Sequence, residues 1–205
     1  MKLILASASP RRRDLLKQIG VHFDVHAVDI DETPFEHENA SDYVLRMAKE
    51  KVYACVDLQT QPGPYAVLGS DTSVIIDGEI LGKPRDYSEA IKILKKLSGR
   101  THQVMTSVCL VTQTDEIKNQ APTTNTQLVV TDVTFKTLSD EQILAYWQTG
   151  EPQDKAGAYG IQGFGSVFVE RIKGSYSGVV GLPLAEVSDL LSAVGVRLWN
   201  RPHQE

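Results

Sequence analysis

The chain has 205 residues, a formal net charge of -5 and a sequence pI near 5.6. An acidic balance of this kind argues against a non-specific nucleic-acid binder, which carries a basic surface. A polyanion can still bind such a protein, but only at a local cluster of cations or at a metal.

Hydrophobic residues make up 41% and charged residues 23%, ordinary values for a globular protein, and the length suits one large α/β domain or two small lobes with a buried core. The two cysteines, Cys55 and Cys109, sit in apolar runs without metal-ligand spacing, so buried thiols and a reducing cytoplasm are expected. The apolar run Leu3–Ala6 is too short for a signal peptide, its arginines follow it, and no segment approaches a membrane span.

In chain order, Lys2–Ser7 reads as a short buried strand. Ser9 and Pro10 then open a helix running to about Ile19 and stopping at Gly20, because Ser caps well and Pro tolerates the first helical position. Val21–Val28 alternates as a strand, and an acidic stretch follows. Ser41 or Asp42 caps a helix over Asp42–Leu58, and TQPGP is a loop. Ala66–Leu68 and Ser73–Asp77 are strand-like, with an expected interruption at Gly69-Ser70-Asp71-Thr72 and a hairpin turn at Asp77-Gly78. Asp86 and Glu89 form a capping box for a helix through Leu97. Thr101–Thr112 and Leu128–Thr137 are long strands joined by the polar segment Gln113–Gln127. Ser139 caps a helix ending at Gly150, and a glycine-rich stretch, a strand near Ser166–Ile172 and a last helix from Pro183 to Gly195 follow. The tail after Leu198 is expected to fray. Alternating strands and helices with one central antiparallel hairpin predict an α/β fold with a mixed sheet.

Two motifs carry chemistry. Arg11, Arg12 and Arg13 occupy the first turn of a helix, where the helix dipole disfavours cations. A bound anion reverses that penalty and accepts from the free N–H groups, from Ser7 and from Ser9. Arg11 and Arg12 precede Leu15 and Leu16 by one turn, so they lean toward the core and are the phosphate candidates, whereas Arg13 aligns with Lys17 on the solvated side. The second motif is Gly-Ser-Asp-Thr after a strand. Asp71 there is a base or metal ligand for water attack on phosphorus, or an Asp that holds a turn. Lys51 and Lys83 are further cations, although charged helix faces and loops commonly carry lysine. Asp31 and Glu32 are hard-oxygen candidates for a metal or simply a solvated loop. There is no Walker pattern, so a P-loop enzyme is not expected.

Seven ordered segments over about residues 3–191 carry a family resemblance: LILASASPRRRDLL, LGSDT, LGKPRD, LSGRTHQVMTSV, TDVTF, DKAGAYGIQG and VVGLPL. In this order they resemble Maf-like nucleotide pyrophosphatases. The resemblance implies one domain over residues 1–205, an elongated mixed sheet flanked by helices, and two lobes around a cleft, related to inosine-triphosphate pyrophosphatases. It implies release of pyrophosphate from a nucleoside triphosphate with a divalent cation, Mg²⁺ or Mn²⁺, in a homodimer. Asp71 matches the family's proton acceptor, and Ser7, Arg11 and Arg12 match its phosphate-binding turn. Glu32, Lys51 and Lys83 match polar cleft residues, with Glu32 a metal-ligand candidate. Arg12, Thr72 and Gln162 match positions tied to substrate choice.

The pairing of SPRR, DT and AGAYGIQG resembles the dTTP/UTP branch. The 7-methyl-GTP branch has Trp before the arginines, Gln after the Asp and Ser-Glu-Gly in place of Ile-Gln-Gly. A non-catalytic nucleotide-binding regulator of septum formation is the other alternative. Ser73, where a branched apolar residue is usual, is expected to soften the strand after Asp71, and the segment Gln113–Gln127 is longer than usual.

Overall fold

A computed structural model describes residues 1–57, 63–114 and 122–200. The elements are β1 (Lys2–Leu5), α1 (Pro10–Gln18), β2 (Asp24–Val25), α2 (Ala40–Asp57), β3 (Tyr65–Ile76), β4 (Glu79–Leu81), α3 (Tyr87–Leu97), β5 (Thr101–Gln113) and β6 (Thr123–Phe135). Then come α4 (Asp140–Gln148), three 3-10 turns within 151–168, β7 (Val169–Lys173), α5 (Tyr176–Val180) and α6 (Leu184–Ala193). The expected α/β class and mixed sheet are present. The strand order is β2-β1-β3-β5-β6-β7, with β4 also on β3; β1 and β2 are parallel to their neighbours and the remaining pairs are antiparallel.

The two edges of β3 are paired unequally. β5 pairs with one edge of β3 from Tyr65 to Ile75. On the other edge, β1 pairs only as far as Leu68, and pairing with β4 covers only Val74–Ile76. Residues 69–73 therefore lie between two arms of the sheet, and a cleft opens there. The expected interruption of the strand at Gly69–Thr72 is not observed: β3 is one strand of 12 residues, and Ser73 continues the ladder opposite Met105. Gly, Ser and Asp favour turns locally, but the long ladder with β5 overrides that preference. Gly69 has a packing reason instead, since a Cβ there would meet Val52 Cγ2 at 2.5 Å and the Ala48 carbonyl oxygen at 3.1 Å.

The sheet has helices on both faces. α2 lies on one face and buries Val44, Met47, Ala48, Val52 and Cys55, each large aliphatic side chain worth roughly 1.5–3 kcal/mol. Cys55 and Cys109 are buried together in this layer. The opposite face carries the larger core, including Leu16, Leu94, Ile143 and Leu191 from α1, α3, α4 and α6.

Several boundaries differ from expectation. β2 is two exposed residues, not Val21–Val28, because Val21 turns inward to the core. α2 starts at Ala40, and its cap is Asn39, whose side-chain oxygen accepts from the Asp42 N–H at 3.0 Å. β6 begins at Thr123, so much of the polar segment after Gln113 extends the ladder. A 3-10 turn takes Phe164–Phe168 before β7, and α5 was not foreseen. Pro183 caps α6 without entering it. Past Leu198 the chain is tied down: Trp199 N–H donates to the Ile19 carbonyl at 2.8 Å and Asn200 N–H to Gly20 at 3.0 Å. The helix end at Leu58, part of the TQPGP loop, the hairpin tip and the last five residues lie outside the described residues.

Candidate functional site

Ser9 builds the first wall. Its side chain accepts from Arg12 N–H, Pro10 takes the first helical position, and α1 points its N-terminus at the open edge of β3. Leu15 and Leu16 are buried, which turns Arg11 and Arg12 inward one turn earlier, as their spacing predicts. The Arg12 guanidinium donates to the Gly181 carbonyl at 2.8 Å, to Ser7 Oγ at 3.3 Å and to Thr72 Oγ1 at 3.4 Å. Burial lowers its pKa, the Asp71 carboxylate works the other way, and Arg11 adds to the lowering. An arginine stays protonated under such a shift. It is a partly buried cation that an anion would relieve.

The parity of β3 builds the second wall. Thr72 and Ser70 point to the Arg12 side, where Ser70 Oγ donates to the Gly181 carbonyl at 3.0 Å. Asp71, one residue away, points to the α2 side, as does Gly69. There Lys51 Nζ donates to Asp71 Oδ1 at 2.7 Å. Lys51 and Asp71 are nearly buried, with side chains 12% and 11% exposed. Lys51 is therefore no solvated helix charge. It also lies 2.7 Å from Glu32. Burial opposes the charge on Glu32, but the Lys51 hydrogen bond and charge, with Lys83 and Arg12 behind, hold its pKa below the usual carboxylate value.

The acidic segment that carries Glu32 is strapped to α2. Arg46 donates to both Glu38 oxygens at 2.7 and 2.6 Å and to the Thr33 carbonyl at 3.0 Å, and its guanidinium stacks 3.8 Å from the Phe35 ring. Tyr43 Oη donates to the Glu32 carbonyl at 2.9 Å. Burial, then Asp71 and Glu32, push that phenol up to about 12, so it stays a donor at neutral pH.

All nine candidates, Ser7, Arg11, Arg12, Glu32, Lys51, Asp71, Thr72, Lys83 and Gln162, line one cleft of about 780 Å³. Arg13 is not among the lining residues, as expected. Lys83 and Gln162 are exposed within the cleft. Arg11 reaches across to Asp154 at 3.8 Å. Tyr43, Gly181, Ser70 and Glu151 also shape the site, without being sequence candidates. Tyr43 had a helical core-face signal, but the others act through backbone groups or loop partners that no local pattern encodes.

Glu32 and Asp71 converge on one cation, Lys51 Nζ. Among the described residues no group of three or more His, Cys, Asp or Glu could hold a metal alone. Two carboxylates still fit a hard cation of the Mg²⁺ type, which takes one or two carboxylates and completes its shell with phosphate and water.

A dTTP/UTP pyrophosphatase from Colwellia psychrerythraea is 54% identical over 196 residues, covering 95% of this chain and 89% of that protein. One from Escherichia coli O157:H7 is 52% identical over 93% of this chain and 91% of its own length, and one from Hahella chejuensis is 45% identical over 97% and 95%. Among solved structures, a nucleoside-triphosphatase, dITP/XTP pyrophosphatase from Mycobacterium abscessus aligns over 95% of this chain and 94% of its own, at TM-score 0.41 and 14% identity. A Maf-like protein family model matches residues 2–194. The chain belongs to the Maf-like protein family.

Proposed function

We propose that this protein hydrolyses dTTP and UTP to the monophosphate and pyrophosphate. The observation that carries this reading is the open edge of β3, where Asp71 shares a cleft with Arg11 and Arg12 from the first turn of α1. The relatives named dTTP/UTP pyrophosphatase support the pyrimidine substrate, as do SPRR, DT and AGAYGIQG in this chain.

Arg11, Arg12, Ser7 and the α1 N-terminus bind the phosphate tail. Lys51 and Lys83 neutralise phosphate charge. Asp71 orients a water toward the α-phosphorus and accepts its proton, while pyrophosphate leaves in line. Glu32 and Asp71 would hold a Mg²⁺ or Mn²⁺ ion, which when bound supplies Lewis-acid stabilisation of phosphate oxygens. Most of the acceleration is positioning and charge stabilisation. Thr72 and Arg12 set the frame at the α1 side, and Gln162 presents an amide to the donor–acceptor edge of a uracil-type base.

We read the chain as one domain, since a single seven-stranded sheet carries strands from β1 to β7. A homodimer follows from the family resemblance. A cytoplasmic location is consistent with the two buried cysteines and with the absence, among the described residues, of a helix long and apolar enough to cross a membrane.

The test is the purified protein with a panel of triphosphates, 7-methyl-GTP included, and a pyrophosphate readout with and without Mg²⁺ or Mn²⁺. Metal-dependent release of pyrophosphate from dTTP and UTP above the rest is expected. Preference for 7-methyl-GTP would overturn the substrate, and binding without release would overturn catalysis.

A further inference from the structure

Gln162 sits on a turn that regular secondary structure does not hold. Residues 159–163 run between two 3-10 turns, Ala156–Ala158 and Phe164–Phe168, without strand pairing. What lies beneath them is one carboxylate. Glu151 Oε2 accepts from the Phe164 N–H at 2.8 Å. Its Oε1 accepts from the Gly165 N–H at 3.0 Å and from the Tyr146 hydroxyl at 2.8 Å. The same hydroxyl accepts from the Gly160 N–H at 3.0 Å. One chain of hydrogen bonds thus joins both ends of the turn: Gly160 to Tyr146, Tyr146 to Glu151, and Glu151 to Phe164 and Gly165.

The glycines of the turn fit the same device. A Cβ on Gly160 would meet Glu151 Oε1 at 3.0 Å, one on Gly165 would meet the Tyr146 hydroxyl at 2.6 Å, and one on Gly163 would overlap the Glu151 carboxylate outright. The turn is therefore seated as close to the carboxylate as backbone allows. Tyr146 is buried, and α4, which carries it, has a full capping box at Ser139 and Gln142. The clamp is anchored in the larger core.

A primary amide offers one donor side and one acceptor side, and a half-turn exchanges them. The uracil edge presents an oxygen acceptor at the carbon where cytosine presents an amino donor. A loosely held Gln can satisfy either base, so preference depends on where its backbone is held. We infer that Glu151, through Tyr146 and the N–H groups of Phe164 and Gly165, is a positioning residue that fixes the Gln162 turn and thereby sets selectivity for uracil-type over cytosine-type bases. This inference rests on the proposed reading of the cleft as a dTTP/UTP site. Burial opposes the charge of Glu151, but the Gly165 N–H, the Tyr146 hydroxyl, the Phe164 N–H and Lys155 hold its pKa below the usual value, so the clamp is charged at neutral pH.

Glu151→Gln keeps one acceptor and places an NH₂ where an N–H donor must be met. Three measurements on the full chain test the clamp. Amide exchange without nucleotide should quicken at Phe164 and Gly165 in this variant. The KM for dTTP should rise about tenfold, the scale of one charge-assisted hydrogen bond, while kcat changes far less and the preference for dTTP over dCTP narrows. In a Gln162→Ala background, Glu151→Gln should leave that preference unchanged, as expected of two residues acting as one unit. Tyr146→Phe, which removes the hydroxyl's bonds to Glu151 and to Gly160 but leaves the carboxylate on Phe164 and Gly165, should give the same pattern more weakly and serves if Glu151→Gln folds poorly. Wild-type exchange at Phe164 and Gly165, wild-type KM and preference, or a loss confined to kcat would overturn the clamp. If the unmodified protein releases no pyrophosphate, the dTTP/UTP reading fails, while amide exchange still decides whether Glu151 holds the turn.

Discussion

The cleft end that holds Asp71 and Arg12 hangs from the middle of β3, the first turn of α1 and the body of α2, whereas the end that holds Gln162 hangs from short 3-10 turns over a single carboxylate. At the first end, Asp71, Arg12 and Lys51 are placed by strand parity or helix spacing on elements backed by a buried core, and Glu32 is strapped to α2 beside them. At the second, placement comes from side chain-to-backbone bonds and from glycines that leave room for them. On the proposed reading the difference is a division of labour: Asp71 and Arg12 sit on a strand and a helix backed by the core, while Gln162, proposed to meet the base, sits on a turn held by side chain-to-backbone bonds.

The largest expected effect tests the rigid end. Asp71→Asn should lower kcat by about 10²–10⁴, the range for loss of a general base, with nucleotide affinity kept by the Arg12 side. Pyrophosphate release and equilibrium binding measure the two parts, and wild-type turnover would remove Asp71 from the chemistry. Next comes Arg12→Lys, which keeps charge but loses the fork that reaches Gly181, Ser7 and Thr72 together. A drop of roughly ten- to hundredfold in kcat/KM is expected; an unchanged value would mean that only charge matters there.

The adaptable end should respond differently. Gln162→Glu should cost about tenfold in kcat/KM for dTTP, with thermal stability kept, because the side chain is exposed in the cleft. Equal losses for every base would deny Gln162 a role in selection. The smallest effect concerns the support behind this end. His102 Nε2 bonds the Tyr159 hydroxyl at 2.9 Å, and burial pushes its pKa down to about 4. The folded state thus resists a proton that the unfolded chain takes up near pH 6.5. Stability from the neutral ring is fully present above pH 6.5 and is lost as pH falls from there toward 4. Between pH 7.5 and 5.5 the loss is about 1 kcal/mol. Urea unfolding at both pH values should show a shallower pH dependence in His102→Gln than in the unmodified protein; identical slopes would contradict the assignment.

The two ends also differ in how far sequence reveals them. Ser9-Pro10 announced α1, and the turn-by-turn offset from Leu15 and Leu16 separated Arg11 and Arg12 from Arg13. Those signals are local, and the fold kept them. Gly69–Thr72 misled because its turn propensity is real but weaker than a ladder of eleven paired residues with β5. Lys51 looked like an ordinary helix charge, because only the tertiary fold brings Asp71 and Glu32 to it. Glu151 gives only an indirect sign. Its partners are backbone N–H groups 13 and 14 residues later, and its trace in the sequence is the density of glycine at 160, 163 and 165. The Maf-like segments placed the candidate residues in order, but only the end of β1 pairing at Leu68 and the resumption of pairing, with β4, at Val74 explain why a cleft opens at Asp71.

Because β3 runs without a break through the cleft, its side chains obey strict alternation. A point change at residue 70, 71 or 72 alters one group. Inserting or deleting one residue there would do something else: it would send the carboxylate to the Arg12 face and leave Lys51 opposite a hydroxyl or a glycine, with the strand itself still paired. Chain length between Leu68 and Val74 is thus constrained along with the identity of Gly69 and Asp71, and a protein engineer reshaping this enzyme has to keep the number of residues in that stretch even where a letter can change.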